Sequence, residues 1–321
     1  MPIKHIVLSG GGYSIFQTFG TLYHLNTNEF YKIEEIDTIY GTSAGAMVAV
    51  CLALKYDWET LNDYIIKRPW KDVFPVKLQN ILDAYSKKGI YNDKNIEKVY
   101  KPLFDAKDIP LDINLEDFYN LTKVEIHFIT FEINEYKMED ISYLTHPKLS
   151  VINAIQMSTA LPILFKPLCI NSKCYVDGGM GCNYPLSFCI ESGKSPDEIL
   201  GIKNKYPDVK NNITDESNIL EFLLCFSHKA IFSLNIDKIQ PEIANEISCD
   251  IEHMTYDIIK ETIHNIEFRQ RLFEEGIDFA IKFFDKLNIS DAKTDKSESV
   301  KEDNIENHLE DSIQELNQSS L

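Results

Sequence analysis

A serine hydroxyl becomes a nucleophile only when a base, a tight turn and hydrogen-bond donors act on it together, and this chain carries candidates for all three. Gly41-Thr42-Ser43-Ala44-Gly45 stands between the apolar run Ile36–Tyr40 and the stretch AMVAVCLAL. A strand-to-helix turn of this kind lifts a serine oxygen out of a sheet, and Gly41 and Gly45 let the backbones approach without a clash. The helix that follows presents its first N–H groups to developing negative charge. Ser9-Gly10-Gly11-Gly12 also follows an apolar run, and consecutive glycines expose adjacent N–H groups that can converge on an oxyanion. Asp177-Gly178-Gly179 follows Cys174-Tyr175-Val176 and sets a carboxylate at a strand end, where pockets form at the carboxyl edge of a parallel sheet. Each motif alone is also an ordinary turn. In this order they combine a candidate nucleophile, Ser43, with a carboxylate that can face the same pocket, Asp177, and with the N–H groups of Gly10, Gly11 and Gly12 as candidate oxyanion donors.

Competing chemistries fit less well. A dinucleotide loop of the form G-x-G-x-x-G needs glycine at position 15, which is Ile15, and the Gly-Lys-Ser/Thr of a phosphate-binding P-loop is absent. His228, His253 and His264 all follow Asp177, as the third member of a hydrolase triad does, but no motif surrounds any of them. Cys249 and His253 would be neighbours on a helix, yet their stretch reads as a strand, so no metal site is expected, and no cofactor.

The elements that must hold these residues alternate. His5–Ser9 and Ile36–Tyr40 read as strands, each entering a glycine turn and then a helix, over Ile15–Asn26 and Ala44–Lys55 respectively. Further strands are expected at Val124–Phe131, Cys174–Val176, Ile199–Lys203 and Cys249–Met254, with a closing helix over Arg269–Leu287. This is the pattern of an α/β domain over residues 1–289 whose mostly parallel sheet is covered by helices. Residues 219–236 are apolar around most of a helix, which fits a core helix, or else an acyl-chain channel or lipid-docking surface lined by Phe222, Phe226 and Phe232. From 290 to 321 nine acidic residues stand against three lysines with few apolar positions, which predicts a disordered tail carrying at most a short helix at Ile305–Leu316.

Bulk properties narrow the partners. A formal charge of −18 opposes binding to nucleic acid or to anionic surfaces through clustered cations. Seven cysteines without a Cys-x-x-Cys pair fit a reduced compartment. The start lacks the marks of a signal peptide, and no apolar run is long enough to span a membrane, because Glu221, His228 and Lys229 interrupt the greasiest segment. The expectation is an intracellular protein, cytoplasmic or peripheral to membranes, whose membrane contact is local and apolar.

At these motifs the chain resembles the patatin-like phospholipases. That family carries a Gly-Gly-Gly-x-Arg/Lys-Gly loop, a Gly-x-Ser-x-Gly turn and a later Asp-Gly-Gly/Ala, in this order. Ala154–Pro167 also looks like the family's stretch before the Asp, with Ser158, Ala160 and Pro162 in place, as does Asn183-Tyr184-Pro185 after it. The similarity runs from about Ile6 to Phe284 and is least typical around 56–110. The resemblance implies a three-layer α/β fold, a Ser43–Asp177 dyad, a covalent acyl-enzyme, and a lipid or phospholipid substrate. One departure stands out. Where the family has Arg or Lys and then Gly, this chain has Ser14 and Ile15. A missing cation there implies weaker catalysis, with a lipid-binding or scaffolding protein as the alternative, and Ser14→Arg is then expected to raise turnover.

Overall fold

The computed structural model describes residues 2–75, 84–207, 213–217, 219–233 and 241–289. The expected tail and its short helix therefore lie outside the described residues. Around His5–Leu8 (β1) a sheet forms in which Thr38–Thr42 (β2) pairs on one side and Ile199–Lys205 (β9) on the other, both parallel. Glu125–Glu132 (β4) extends it in parallel beyond β2, and Glu246–Asp250 (β10) beyond β9. Lys173–Asp177 (β8) and Lys137–Ile141 (β5) join β4 antiparallel, and Leu168–Ile170 (β7) closes the order β10-β9-β1-β2-β4-β8-β7. Gly89–Tyr91 (β3) and Ile163–Phe165 (β6) form a separate parallel pair.

Why the sheet is covered on both faces is visible along β1. Successive side chains of a strand point to opposite sides. Ile6 and Leu8 join the large core cluster, with Phe16, Phe19 and Leu22 of helix Ile15–Thr27 (α1). Val7 instead joins a second cluster with Tyr40, Leu186 and Cys189. All three β1 residues are inaccessible to water, each worth about 1.5–3 kcal/mol on folding. Even polar residues of the central strands, such as His5, Thr38, His127, Thr130 and Glu132, are buried, and the in-and-out alternation of a half-exposed strand is absent.

The helix after the serine turn, Ala44–Ala53 (α2), is short and rich in alanine. Small side chains let it lie close on the sheet: a Cβ at Gly45 would stand 2.4 Å from the Leu8 carbonyl oxygen. Any larger residue there lifts the helix and with it the serine. Expected and observed elements agree for β1, β4, β8, β9, α1 and α2 to within about two residues. The last strand lies at Glu246–Asp250 rather than Cys249–Met254, so His253 falls beyond it. The closing helix spans residues 266–289. Cys169 and Cys174 are bonded to each other across the β7–β8 pair, and Cys51, Cys182, Cys189, Cys225 and Cys249 form no disulfide among the described residues.

Candidate active site

The sheet register brings Ser43 and Asp177 together. Thr42, the last residue of β2, is level with Ile129 of β4, so Ser43 follows at the level of Thr130. Thr130 is the antiparallel partner of Asp177. The strand ends therefore place a hydroxyl and a carboxylate from 134 residues apart at one point, and Ser43 Oγ donates to Asp177 Oδ2 at 2.6 Å.

Local structure fixes each partner. Ser43 turns with φ 52° and ψ −118°, a left-handed backbone that costs a non-glycine residue about 1–3 kcal/mol and persists only where surroundings impose it. Its N–H donates to Ser158 Oγ at 3.0 Å, and the Ser158 hydroxyl in turn donates to the Ile129 carbonyl at 2.7 Å. Gly41 is required behind the turn, since a Cβ would meet Ala46 N at 2.6 Å. Asp177 is anchored by its N–H to the Ala160 carbonyl, and Gly178 lies so close to Ile129 that a Cβ would stand 2.1 Å from its carbonyl oxygen. Gly179 donates its N–H to Asp177 Oδ1 at 2.8 Å. The stretch around Ser158 and Ala160 thus braces both members of the pair.

Asp177 is 4% exposed, and among the described residues no cation pairs with it. Burial pushes its pKa up, the hydrogen bonds from Ser43 and Gly179 pull it back, and the balance is about 6. A carboxylate so placed is still an anion at neutral pH yet a far better base than a solvated one. Above the pair lies a cavity of about 340 Å³ whose wall is mostly apolar and aromatic, including Phe16, Phe19, Met47, Trp70, Phe74 and Phe165. Much of it comes from the 56–110 region, where the sequence was least informative: helix Trp58–Lys67 contributes Tyr64 and Ile65, and Val99 and Tyr100 lie further along.

Gly11, Gly12 and Ala44 also line the cavity. Among the described residues no acceptor takes the N–H of Gly11 or Gly12, and the N–H groups of the first turn of α2 have no acceptor within the helix. Gly10 differs from its neighbours. It does not line the cavity, and its N–H is already donated to the Asn183 carbonyl at 3.0 Å, so the oxyanion reading keeps only Gly11 and Gly12 of the three glycines.

Other expectations are corrected by position. Ser14 is only 1% exposed, lying under the loop with its Oγ 2.8 Å from Asn204 Nδ2, so an arginine there would have to displace Asn204 and the expected gain from Ser14→Arg is withdrawn. Among the described lining residues there is no histidine: His253 faces the Pro207 carbonyl and the Tyr206 ring, His264 is exposed, and the His228 side chain lies outside the described residues. Phe222 and Phe226 are exposed rather than part of the channel, and the Phe232 side chain is also outside the described residues. No group of residues suited to a metal ion occurs among those described. Tyr206, which sequence reasoning passed over, lines the cavity, and burial raises the phenol's pKa, with smaller contributions from Tyr13 and Asp177.

Residues 6–190 match the patatin-like phospholipase family. The chain is 25% identical over 217 residues to the probable lipid hydrolase 463L of Invertebrate iridescent virus 6, covering 65% of this chain and 73% of that protein. It is 25% identical to the uncharacterized protein R571 of Acanthamoeba polyphaga mimivirus, over 58% of this chain and 61% of the relative. Among solved structures, VipD from Legionella pneumophila shares the fold with a TM-score of 0.52 at 19% identity, over 89% of this chain and 67% of VipD. With the matching segment covering more than half of the chain, including the serine turn and the Asp-Gly-Gly corner, this protein belongs to the patatin-like phospholipase family.

Proposed function

We propose that the protein is a lipid acyl hydrolase that works through a Ser43–Asp177 dyad. Family membership supports lipid hydrolysis as the general class, and the observation that carries the finer reading is the 2.6 Å hydrogen bond from Ser43 to a buried carboxylate, with no cation beside it among the described residues, beneath an apolar cavity. Ser43 Oγ attacks the ester carbonyl while its proton moves to Asp177, and the oxyanion is held by the N–H groups of Gly11, Gly12 and Ala44. Asp177 then returns the proton to the departing alkoxide. Water enters, gives a proton to Asp177 and attacks the acyl-enzyme, and Ser43 leaves with that proton. The cavity wall suits an acyl chain and keeps the dyad dry.

Substrate comes from a lipid surface in this reading. Helix Ile219–Ser233 packs against Gly178–Met180, next to Asp177, and shows Ile219, Phe222 and Phe226 to solvent. No helix among the described residues is long and apolar enough to cross a membrane. Contact is therefore peripheral, and Phe226→Asp is expected to weaken co-sedimentation with neutral phosphatidylcholine vesicles while leaving hydrolysis of soluble esters intact.

The decisive experiment pairs p-nitrophenyl ester hydrolysis with labelling by a fluorophosphonate probe. Wild type is expected to turn over and to label, and Ser43→Ala to do neither while keeping its melting temperature within a few degrees. A wild type that binds lipid but neither labels nor hydrolyses supports the lipid-binding scaffold instead.

A further inference from the structure

The N–H of Gly11 and the carbonyl of Gly10 belong to one planar peptide and point in opposite directions. Whatever holds the carbonyl therefore aims the N–H. Two side-chain amides hold it: Asn183 Nδ2 at 3.1 Å and Asn204 Nδ2 at 2.9 Å. The nitrogen must be the atom facing Gly10 in both, because a carbonyl oxygen only accepts.

Asn204 reaches further than Asn183. The second hydrogen of its amide goes to Ser14 Oγ at 2.8 Å, and its backbone N–H goes to Ser9 Oγ at 3.1 Å. One residue of β9 is thus bonded to the start, the middle and the end of the Ser9–Ser14 loop. Gly11 is pressed against this clasp, since a Cβ on it would stand 2.3 Å from Asn204 Nδ2 and 2.2 Å from Ser14 Oγ. The loop lies directly beside the nucleophile, with a Cβ at Gly10 falling 2.9 Å from that of Ser43. Strand pairing sets this up: Ile202 of β9 is level with Leu8 of β1, which puts Asn204 level with Gly10.

From this geometry we propose that Asn204, assisted by Asn183 and received by Ser14, is the positioning residue that aims the Gly11 N–H at the reacting carbonyl. The proposal rests on the dyad reading above. Donation to the Gly10 carbonyl also polarises the peptide, which makes Gly11 N–H a stronger donor. The small Ser14 is what admits the clasp, because a long side chain at that position would occupy the space of the Asn204 amide.

The test compares wild type, Asn204→Asp, Ser14→Ala and Ser43→Ala on a short uncharged ester, with a trifluoromethyl ketone as a probe that forms an oxyanion adduct at the nucleophile. Asn204→Asp keeps the shape of the side chain but turns the donor into an acceptor. It is expected to lower kcat roughly 10–100-fold, less than the cost of about 10²–10³-fold for removing an oxyanion donor outright, because the Gly11 N–H is misaimed rather than lost, with KM within about twofold and ketone affinity falling in step with kcat/KM. Ser14→Ala, which removes one of the clasp's anchors, is expected to fall between that variant and wild type. If Asn204→Asp does not melt cooperatively, Asn204→Ser, which also removes both amide bonds, carries the measurement. A kcat within twofold of wild type, or a loss confined to KM or to melting temperature, overturns the proposal. A wild type without Ser43-dependent turnover overturns the dyad reading itself, and this proposal with it, which is distinct from turnover that ignores residue 204.

Discussion

Two buried acids stand on the paired strands β4 and β8, and their protons are held in opposite ways. Asp177 faces Thr130, and two positions along the same ladder Glu132 faces Tyr175. Glu132, at the hairpin end, accepts three backbone N–H groups, from Asn134 at 3.1 Å, Glu135 at 2.6 Å and Cys174 at 2.9 Å. Burial raises its pKa, but those three bonds and the charge of Lys137 more than offset it, and the group lies below the ordinary range. Asp177, at the serine end, has one backbone N–H and one hydroxyl, and its pKa rises to about 6. Burial alone does not make a base. The number of donors decides whether a buried carboxylate is a fixed anion that holds a turn or a group poised to take a proton.

The largest expected effect that could break this contrast is that of Asp177→Asn on turnover. Loss of the base is expected to lower kcat on p-nitrophenyl esters by about 10³-fold or more, whereas Glu132→Gln is expected to leave it within a few-fold of wild type. A Glu132 variant as inactive as the Asp177 variant would show that donor counting does not separate the two roles. In wild type, kcat/KM is expected to rise with pH through about 6 as Asp177 ionises and to level off above, provided chemistry limits the rate. The asparagine also reports on stability. Because the folded pKa of Asp177 is raised, its contribution to stability is fully present below about 3.8 and is lost as pH rises through about 6. Asp177→Asn is therefore expected to be more stable than wild type above pH 6, by at most about 3 kcal/mol for a shift of about two units, and to match it near pH 4. Chemical denaturation at the two pH values measures this.

Much of this site was legible in the chain, and what was not has a common cause. β1, α1, β2 and α2 announce themselves through local runs of apolar residues broken by glycine, so Ser43 could be located without any distant contact. Asp177 was found because its glycines and its apolar strand are also local. The availability of Gly10 was misjudged because its N–H goes to Asn183, and that bond exists only once the chain has folded back 173 residues. Asn204 carries no local signal at all. Its place follows from the parallel pairing of β9 with β1, which sets it across from Gly10. β10 was placed three residues late because Glu246–Asp250 buries only alternate residues, whereas the apolar content just after it suggested a fuller strand. The cavity wall from 56–110 was missed for a related reason: helix Trp58–Lys67 has few buried positions, and its Tyr64 reads as surface until the cavity is assembled.

A smaller effect should sharpen the same contrast from its other side. Glu132→Gln offers an NH₂ group to a nest of three N–H donors, so one backbone donor or more loses its acceptor. The melting temperature is expected to fall by several degrees at pH 7. The depressed pKa of Glu132 means that its contribution is present above about 4.5 and fades as pH falls through the folded value, so the penalty should shrink in acid. Asp177→Asn and Glu132→Gln then move stability in opposite directions at neutral pH, although both remove one buried charge from the same ladder. If both variants were destabilised there alike, the difference in their donor sets would have no energetic meaning.

The smallest expected effect concerns the donor that Asp177 shares with the reaction. Ser43 supplies one of the two hydrogen bonds that pull the Asp177 pKa back toward the ordinary range. Ser43→Ala removes that bond and leaves only the N–H of Gly179, while the burial of the carboxylate is almost unchanged, because the lost atom is one hydroxyl oxygen. Donor counting then requires Asp177 to titrate above the wild-type value of about 6 in the alanine variant. Activity cannot report this, since the variant is expected to have none. The pH dependence of stability can: the difference in unfolding free energy between Ser43→Ala and Ser43→Ala/Asp177→Asn isolates the ionisation of residue 177, and its inflection marks the folded pKa. An inflection above that of the wild-type and Asp177→Asn pair supports the contrast, and the displacement should be smaller than the gap between Asp177 and Glu132, because one donor is removed, whereas those sites differ by one donor and by the charge of Lys137 as well. An inflection at or below the wild-type value would mean that water takes over the place of the hydroxyl and donates as well as serine does, in which case burial and not the protein's own donors sets the basicity of Asp177.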